Sequence, residues 1–184
     1  MKNPDRPRTH RVFVGIKIPP ALASLLAGFG RSNLQHAPNA RSPKWTDAND
    51  LHITLKFLGS VQPALLEQVR TALAAVRAHP FKITLAGADA FGSGILFAGI
   101  EKSAQLISLQ NAVEQALNPL GFPREQRPYS PHITIARKIG RQHDLVAQLE
   151  AFCKHMSHRE IFVERFILYE SIAGHYQPLQ QYDL

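Results

Sequence analysis

A chain of 184 residues, 45% hydrophobic and 19% charged, carries enough apolar side chain to close a core, which excludes a wholly disordered polymer. One cysteine excludes an internal disulfide or a thiolate metal cluster, and the apolar runs are too short to cross a bilayer, so a cytoplasmic protein is expected. A formal net charge of +7 favours polyanions, with nucleic acid first.

Residues 1–10 are polar and basic, without a secretory pattern, and read as a flexible leader to a single domain over 11–184. Alternation over 11–18 predicts a strand with Val12, Val14 and Ile16 on a core face and Phe13 and Gly15 opposite. Pro19-Pro20 stops it and opens a helix over 20–29. A Pro/Asn/Ser/Asp-rich loop follows at 36–49, then a strand over 51–58 ended by Gly59. Pro63 starts a helix to about residue 78. Strands are expected at 81–86 and 95–100 around a Gly92-Ser93-Gly94 turn, then a helix over 106–120 closed by Gly121. The remainder reads as a strand at 132–137, a helix at 144–155, one long strand at 161–171 and a last strand at 176–182. The second half loosely repeats the first. The expected fold class is α+β: two antiparallel-sheet lobes with outer helices, related by an approximate twofold about a central cleft.

Two segments match each other: His52-Ile53-Thr54-Leu55 and His132-Ile133-Thr134-Ile135. On a strand, the period of two sets His and Thr on one face and the aliphatic residues on the other. A single such pair is most often only a polar strand face. Two copies, in corresponding places of similar halves, point to paired imidazoles. One neutral and one protonated imidazole can activate a nucleophile and protonate a leaving group, as in-line displacement at a phosphodiester requires. A Thr hydroxyl beside each can donate to a non-bridging phosphate oxygen as charge builds there. Two histidines without paired carboxylates or thiolates suit zinc poorly. No Gly-x-Ser-x-Gly elbow or Walker loop is present.

The motifs with their flanks, Asn49-Asp50-Leu51-His52-Ile53-Thr54-Leu55-Lys56-Phe57-Leu58-Gly59 and Arg127-Pro128-Tyr129-Ser130-Pro131-His132-Ile133-Thr134-Ile135-Ala136-Arg137, closely resemble the two-histidine (2H) phosphoesterases. Among these they are most similar to the bacterial and archaeal RNA 2′,3′-cyclic phosphodiesterases, also called 2′-5′ RNA ligases. The segments Arg11-Val12-Phe13-Val14-Gly15-Ile16 and Leu168-Tyr169-Glu170-Ser171 share the likeness, which spans nearly the whole chain after the leader. The resemblance implies a bilobal fold, His52 and His132 facing each other across a cleft, no metal cofactor, and opening of RNA-terminal 2′,3′-cyclic phosphates to 2′-phosphomonoesters. It favours His52 as the acid and His132 as the base. Reversible 2′-5′ RNA ligation is the accompanying activity it leaves open; 2′-5′-linked oligonucleotides, ADP-ribose cyclic phosphate, a small cyclic nucleotide and a non-catalytic RNA-binding module are the alternatives.

Beyond His52, His132, Thr54 and Thr134, Arg137 is a candidate phosphate clamp. Strict alternation sets it opposite His132, so it serves only if the strand bends. Phe57 has the same parity conflict with His52. Phe13, beside Gly15, is the better candidate for base stacking, because the glycine leaves room for a ligand. Lys44, Trp45, Arg127 and Tyr129 lie on loops entering the motifs and are further candidates for holding RNA. The other histidines, His10 and His175 among them, read as surface residues, Cys153 as an apolar filler, and the molecule as a monomer.

Overall fold

A computed structural model describes residues 9–34, 43–92, 94–139, 143–156 and 159–184. The leader (apart from residues 9 and 10), the 36–42 part of the expected loop, Ser93, His36 and His158 lie outside them. The elements are β1 (His10–Lys17), α1 (Pro20–Leu34), β2 (Lys44–Trp45), β3 (His52–Val61), α2 (Pro63–Ala74), β4 (Phe81–Phe91), β5 (Ile95–Ile100), α3 (Ala104–Leu117), β6 (His132–Arg137), α4 (His143–His155), β7 (Glu160–Val163), β8 (Arg165–Ile172) and β9 (His175–Asp183). None of these helices is long and apolar enough to cross a membrane.

Among the described residues nine strands form one antiparallel sheet in the order β7-β4-β5-β6-β3-β1-β8-β9, with β2 added on β6. The two expected lobes are its halves, four strands reading outward from β6 and four from β3. They join through a narrow seam, the pair Ile53↔Ile133, both fully buried. Each motif-bearing strand therefore stands at the centre of the molecule.

Helices cover the core face. Leu66, Val69 and Leu73 of α2 and Leu106, Leu109, Val113 and Leu117 of α3 recur at helical spacing and are buried. Ser103 caps α3 by accepting from the Leu106 amide, and Gly121 takes the left-handed conformation (φ 87°) that ends the following single turn. Helix α1 runs past the expected stop at 29 because Phe29 still faces the core; at Gly30 a Cβ would meet the Trp45 ring at 2.9 Å. Cys153 is buried as expected.

Helix α2 stops at Ala74 rather than near 78, β3 runs through Gly59 to Val61, and three further expectations change. Strand β1 is buried on both faces: Val12, Val14 and Ile16 enter the main core, while Phe13 joins Ile167 and Tyr169 in a second cluster. β4 continues beyond 86 to Phe91, through Gly87 at φ 34°. The long strand expected at 161–171 is two strands. β7 pairs with β4 in one half, β8 with β1 and β9 in the other, and Glu164 carries the chain between them.

Candidate functional site

Each motif is followed by a bulge. Pairing with β1 steps from Val14↔Lys56 to Gly15↔Thr54, leaving Leu55 as the extra residue of β3. Pairing with β5 steps from Leu96↔Ala136 to Phe97↔Thr134, leaving Ile135 as the extra residue of β6. Two successive buried positions, 55–56 and 135–136, mark the same event. An extra residue restores the parity lost after the motif. Phe57 and Arg137, five residues beyond their histidines, thus return to the face of His52 and His132. The bend that Arg137 needed lies at Ile135 rather than Ala136.

The histidines are held alike. His52 Nδ1 lies 2.7 Å from the Asp50 carbonyl oxygen and His132 Nδ1 lies 2.8 Å from that of Ser130. A carbonyl only accepts, so each Nδ1 carries the proton and each Nε2 keeps a lone pair. His52 Nε2 accepts from the Thr54 hydroxyl at 3.1 Å. Antiparallel register through Ile53↔Ile133 turns each motif's histidine toward the other's threonine.

Both imidazoles resist protonation in the ligand-free protein. Burial pulls His52 from 6.5 to about 4; the carbonyl of Asp50 opposes this, and the charges of Arg137 and His132 add to it. His132 is lowered too, again by burial first, with Arg137 contributing and the Ser130 carbonyl opposing.

Aromatic rings surround the pair. Phe13 packs on His52 at 4.6 Å between ring centres and Tyr176 meets it edge-on at 4.8 Å. Phe91 and Phe97 pack on His132 at 4.9 and 5.1 Å. Phe13 is only 3% exposed and is stacked on Tyr169, so it backs His52, although its edge reaches a cavity. Phe57, 62% exposed, offers the freer ring. The space at Gly15 is not a ligand gap: a Cβ there would meet the Ile53 carbonyl oxygen at 2.8 Å and the His52 ring at 3.5 Å.

Lys44 and Trp45 form β2 beside Arg137 and Ala136, and Tyr129 donates to the Thr54 carbonyl oxygen at 2.8 Å. Arg127 is exposed. Several participants escaped the sequence pattern. Asp50, 6% exposed, holds the β8–β9 turn against the segment entering His52: one carboxylate oxygen accepts from the Tyr176 amide and the other pairs with His175 Nδ1, both at 2.9 Å. His10 pairs with Glu170 at 2.8 Å. His175 and His10 are thus placed by carboxylates. Asp47, Asp50 and His175 bring ligand atoms within 4.8 Å of one another, with His175 Nδ1 2.9 Å from the Asp50 carboxylate and 3.9 Å from that of Asp47.

Residues 26–166 match the model of the 2′-5′ RNA ligase superfamily. An RNA 2′,3′-cyclic phosphodiesterase of Archaeoglobus fulgidus is 30% identical over 173 residues, 92% of this chain and 95% of the relative. One of Geobacillus stearothermophilus is 43% identical over 100 residues, 51% of this chain and 32% of that relative's length. The crystal structure of E. coli LigT complexed with 3′-AMP superposes with a TM-score of 0.74 at 23% identity, over 96% of this chain and 99% of that one, a likeness of fold. The chain belongs to the 2′-5′ RNA ligase superfamily.

Proposed function

We propose that the protein hydrolyses 2′,3′-cyclic phosphates at RNA ends to 2′-phosphomonoesters without a metal, in the cytoplasm and as a monomer. The observation that carries this is the matched pair of imidazoles, each with Nδ1 on a backbone carbonyl and Nε2 left to accept or deliver a proton. Similarity to relatives named RNA 2′,3′-cyclic phosphodiesterase supplies the substrate class.

In the proposed reaction the cyclic phosphate lies between His52 and His132. His132 Nε2 takes a proton from water as its oxygen forms a bond to phosphorus. The P–O3′ bond breaks, and protonated His52 gives its proton to O3′. Arg137, with the hydroxyls of Thr54 and Thr134, binds the non-bridging oxygens. Phe57, with the edge of Phe13, takes the terminal base. Because burial disfavours the charged form of both histidines, the phosphate's negative charge itself favours the imidazolium that the acid must become. With a 5′-hydroxyl in place of water, the same steps in the same direction give 2′-5′ ligation, and run backwards they cleave that linkage.

Incubation of the protein with 2′,3′-cyclic AMP and with a cyclic-phosphate-ended oligonucleotide, chelator present, tests this. A 2′-phosphate product is expected from the oligonucleotide. A 3′-phosphate product would overturn the assignment of the leaving oxygen. Cleavage of 2′-5′ oligonucleotides alone would move the protein to the neighbouring substrate class.

A further inference from the structure

Two cavities meet at Arg137. One, of about 480 Å³, includes Phe13, Phe57 and Arg11 in its lining. The other, of about 360 Å³, is lined by Lys44, Trp45, Thr46, Asp47, Asp50 and His175. Both also include Arg137, Tyr176 and the turn residues Ala173 and Gly174, so the β8–β9 turn is a wall common to both. The turn is held there by Asp50, and the Lys44 ammonium stands 3.3 Å from where a Cβ on Gly174 would sit.

One terminal nucleotide brings one base, and the exposed Phe57 ring in the larger cavity meets the needs of a base face. An RNA ending in a cyclic phosphate continues from its terminal 5′ oxygen into another nucleotide, whose linking phosphate lies one ribose away from the reacting phosphate. The smaller cavity adjoins the same arginine. In the β2·β6 ladder Lys44 is the register partner of Arg137, so two cations stand side by side, one for each of two successive phosphates. Beyond Lys44 the lining turns acidic, with Asp47 exposed at the rim and Asp50 behind His175. A bare polyanion is repelled by such a lining. A nucleotide is not, because it carries its charge at one end and hydroxyl and amino donors on its ribose and base.

We propose that this cavity is a subsite for the nucleotide 5′ to the reacting one, its linking phosphodiester held by Lys44, and that it makes the protein select RNA chains over mononucleotides. The subsite rests on the cyclic phosphodiesterase activity proposed above. Its test compares kcat/KM for 2′,3′-cyclic AMP and for a dinucleotide ending in 2′,3′-cyclic phosphate, in the wild type and in Lys44→Ala and Lys44→Gln. The wild type is expected to prefer the dinucleotide by roughly 10-fold or more, the worth of one charge-assisted contact. Both variants should lose most of that preference, through KM. Equal rates on the two substrates in the wild type would overturn the subsite, as would a Lys44 variant that retains the preference. So would equal losses on both substrates, which would move Lys44 to the reacting phosphate. In each of these outcomes cyclic AMP is still turned over; a wild type silent on both substrates instead overturns the activity itself, and the subsite with it.

Discussion

Protonating His52 means putting a cation among Phe13, Tyr169 and Tyr176, close to Arg137 and another histidine. Burial foremost, then like charge, brings its pKa down from 6.5 to about 4. The folded protein thus binds this proton less readily than the unfolded chain. Stability from neutral His52 is complete above about 6.5 and is lost as the pH falls toward about 4. Ring-proton NMR should find His52 titrating well below 6.5 in the free protein and moving upward when a nucleotide 2′-phosphate is bound. A free-protein value at or above 6.5 would contradict the account of burial; no upward movement with ligand would contradict substrate-assisted protonation. At this scale the two His-Thr pairs were legible because the chemistry repeats within four-residue windows. Asp50 and His175 were not, since 125 residues separate the partners and no local period marks their meeting.

The elements show why parity misled. Strict alternation is right through Thr54 and Thr134, then fails at the bulges of Leu55 and Ile135, which turn Phe57 and Arg137 to the histidine face. Aliphatic residues at both bulges carry no turn signal of the Gly or Asn kind, so the sequence reads on as plain strand. Phe91 was missed for a related reason: Gly87 and the alanines around it mute the alternation of β4 beyond 86. β3 also carries Lys56 into the core, only 4% exposed, where its ammonium meets Glu114 of α3 at 3.0 Å and Glu125 of the loop before β6 at 3.4 Å. Although burial alone would raise it, the Glu125 amide and Lys56 hold the Glu114 carboxyl below its usual range. This network fastens the loop leading to His132 onto the His52 strand. Glu114→Ala leaves the buried ammonium only the exposed Glu125 carboxylate and the Pro123 carbonyl oxygen, and is expected to cost about 2–3 kcal/mol of unfolding free energy, short of a wholly stranded charge. Lys56→Met with Glu114→Leu should recover most of it, because no charge is then left unpaired. Urea titrations of the three proteins check this; a double variant as unstable as Glu114→Ala would mean packing, not the stranded charge, sets the cost.

For the molecule as a whole, duplication was legible as order: helix, strand and helix recur, and both motifs fall on corresponding strands. The single sheet was not legible, because its seam is one residue pair and its outer strands cross between halves. The chain leaves β7 in one half and enters β8 in the other within a single residue, Glu164, which a continuous apolar run conceals. The consequence for function is the placement of β3 and β6 side by side at the centre, which brings together two imidazoles from distant parts of the chain, as the proposed action on one phosphate requires. The most direct test is the turnover rate of His52→Ala and His132→Ala on a cyclic-phosphate-ended oligonucleotide, with chelator present and folding checked by circular dichroism. Each variant is expected to keep the wild-type spectrum and lose roughly 10²- to 10⁴-fold in kcat, with the double variant little worse than either. A folded single variant that retains near-wild-type turnover would contradict paired-histidine catalysis.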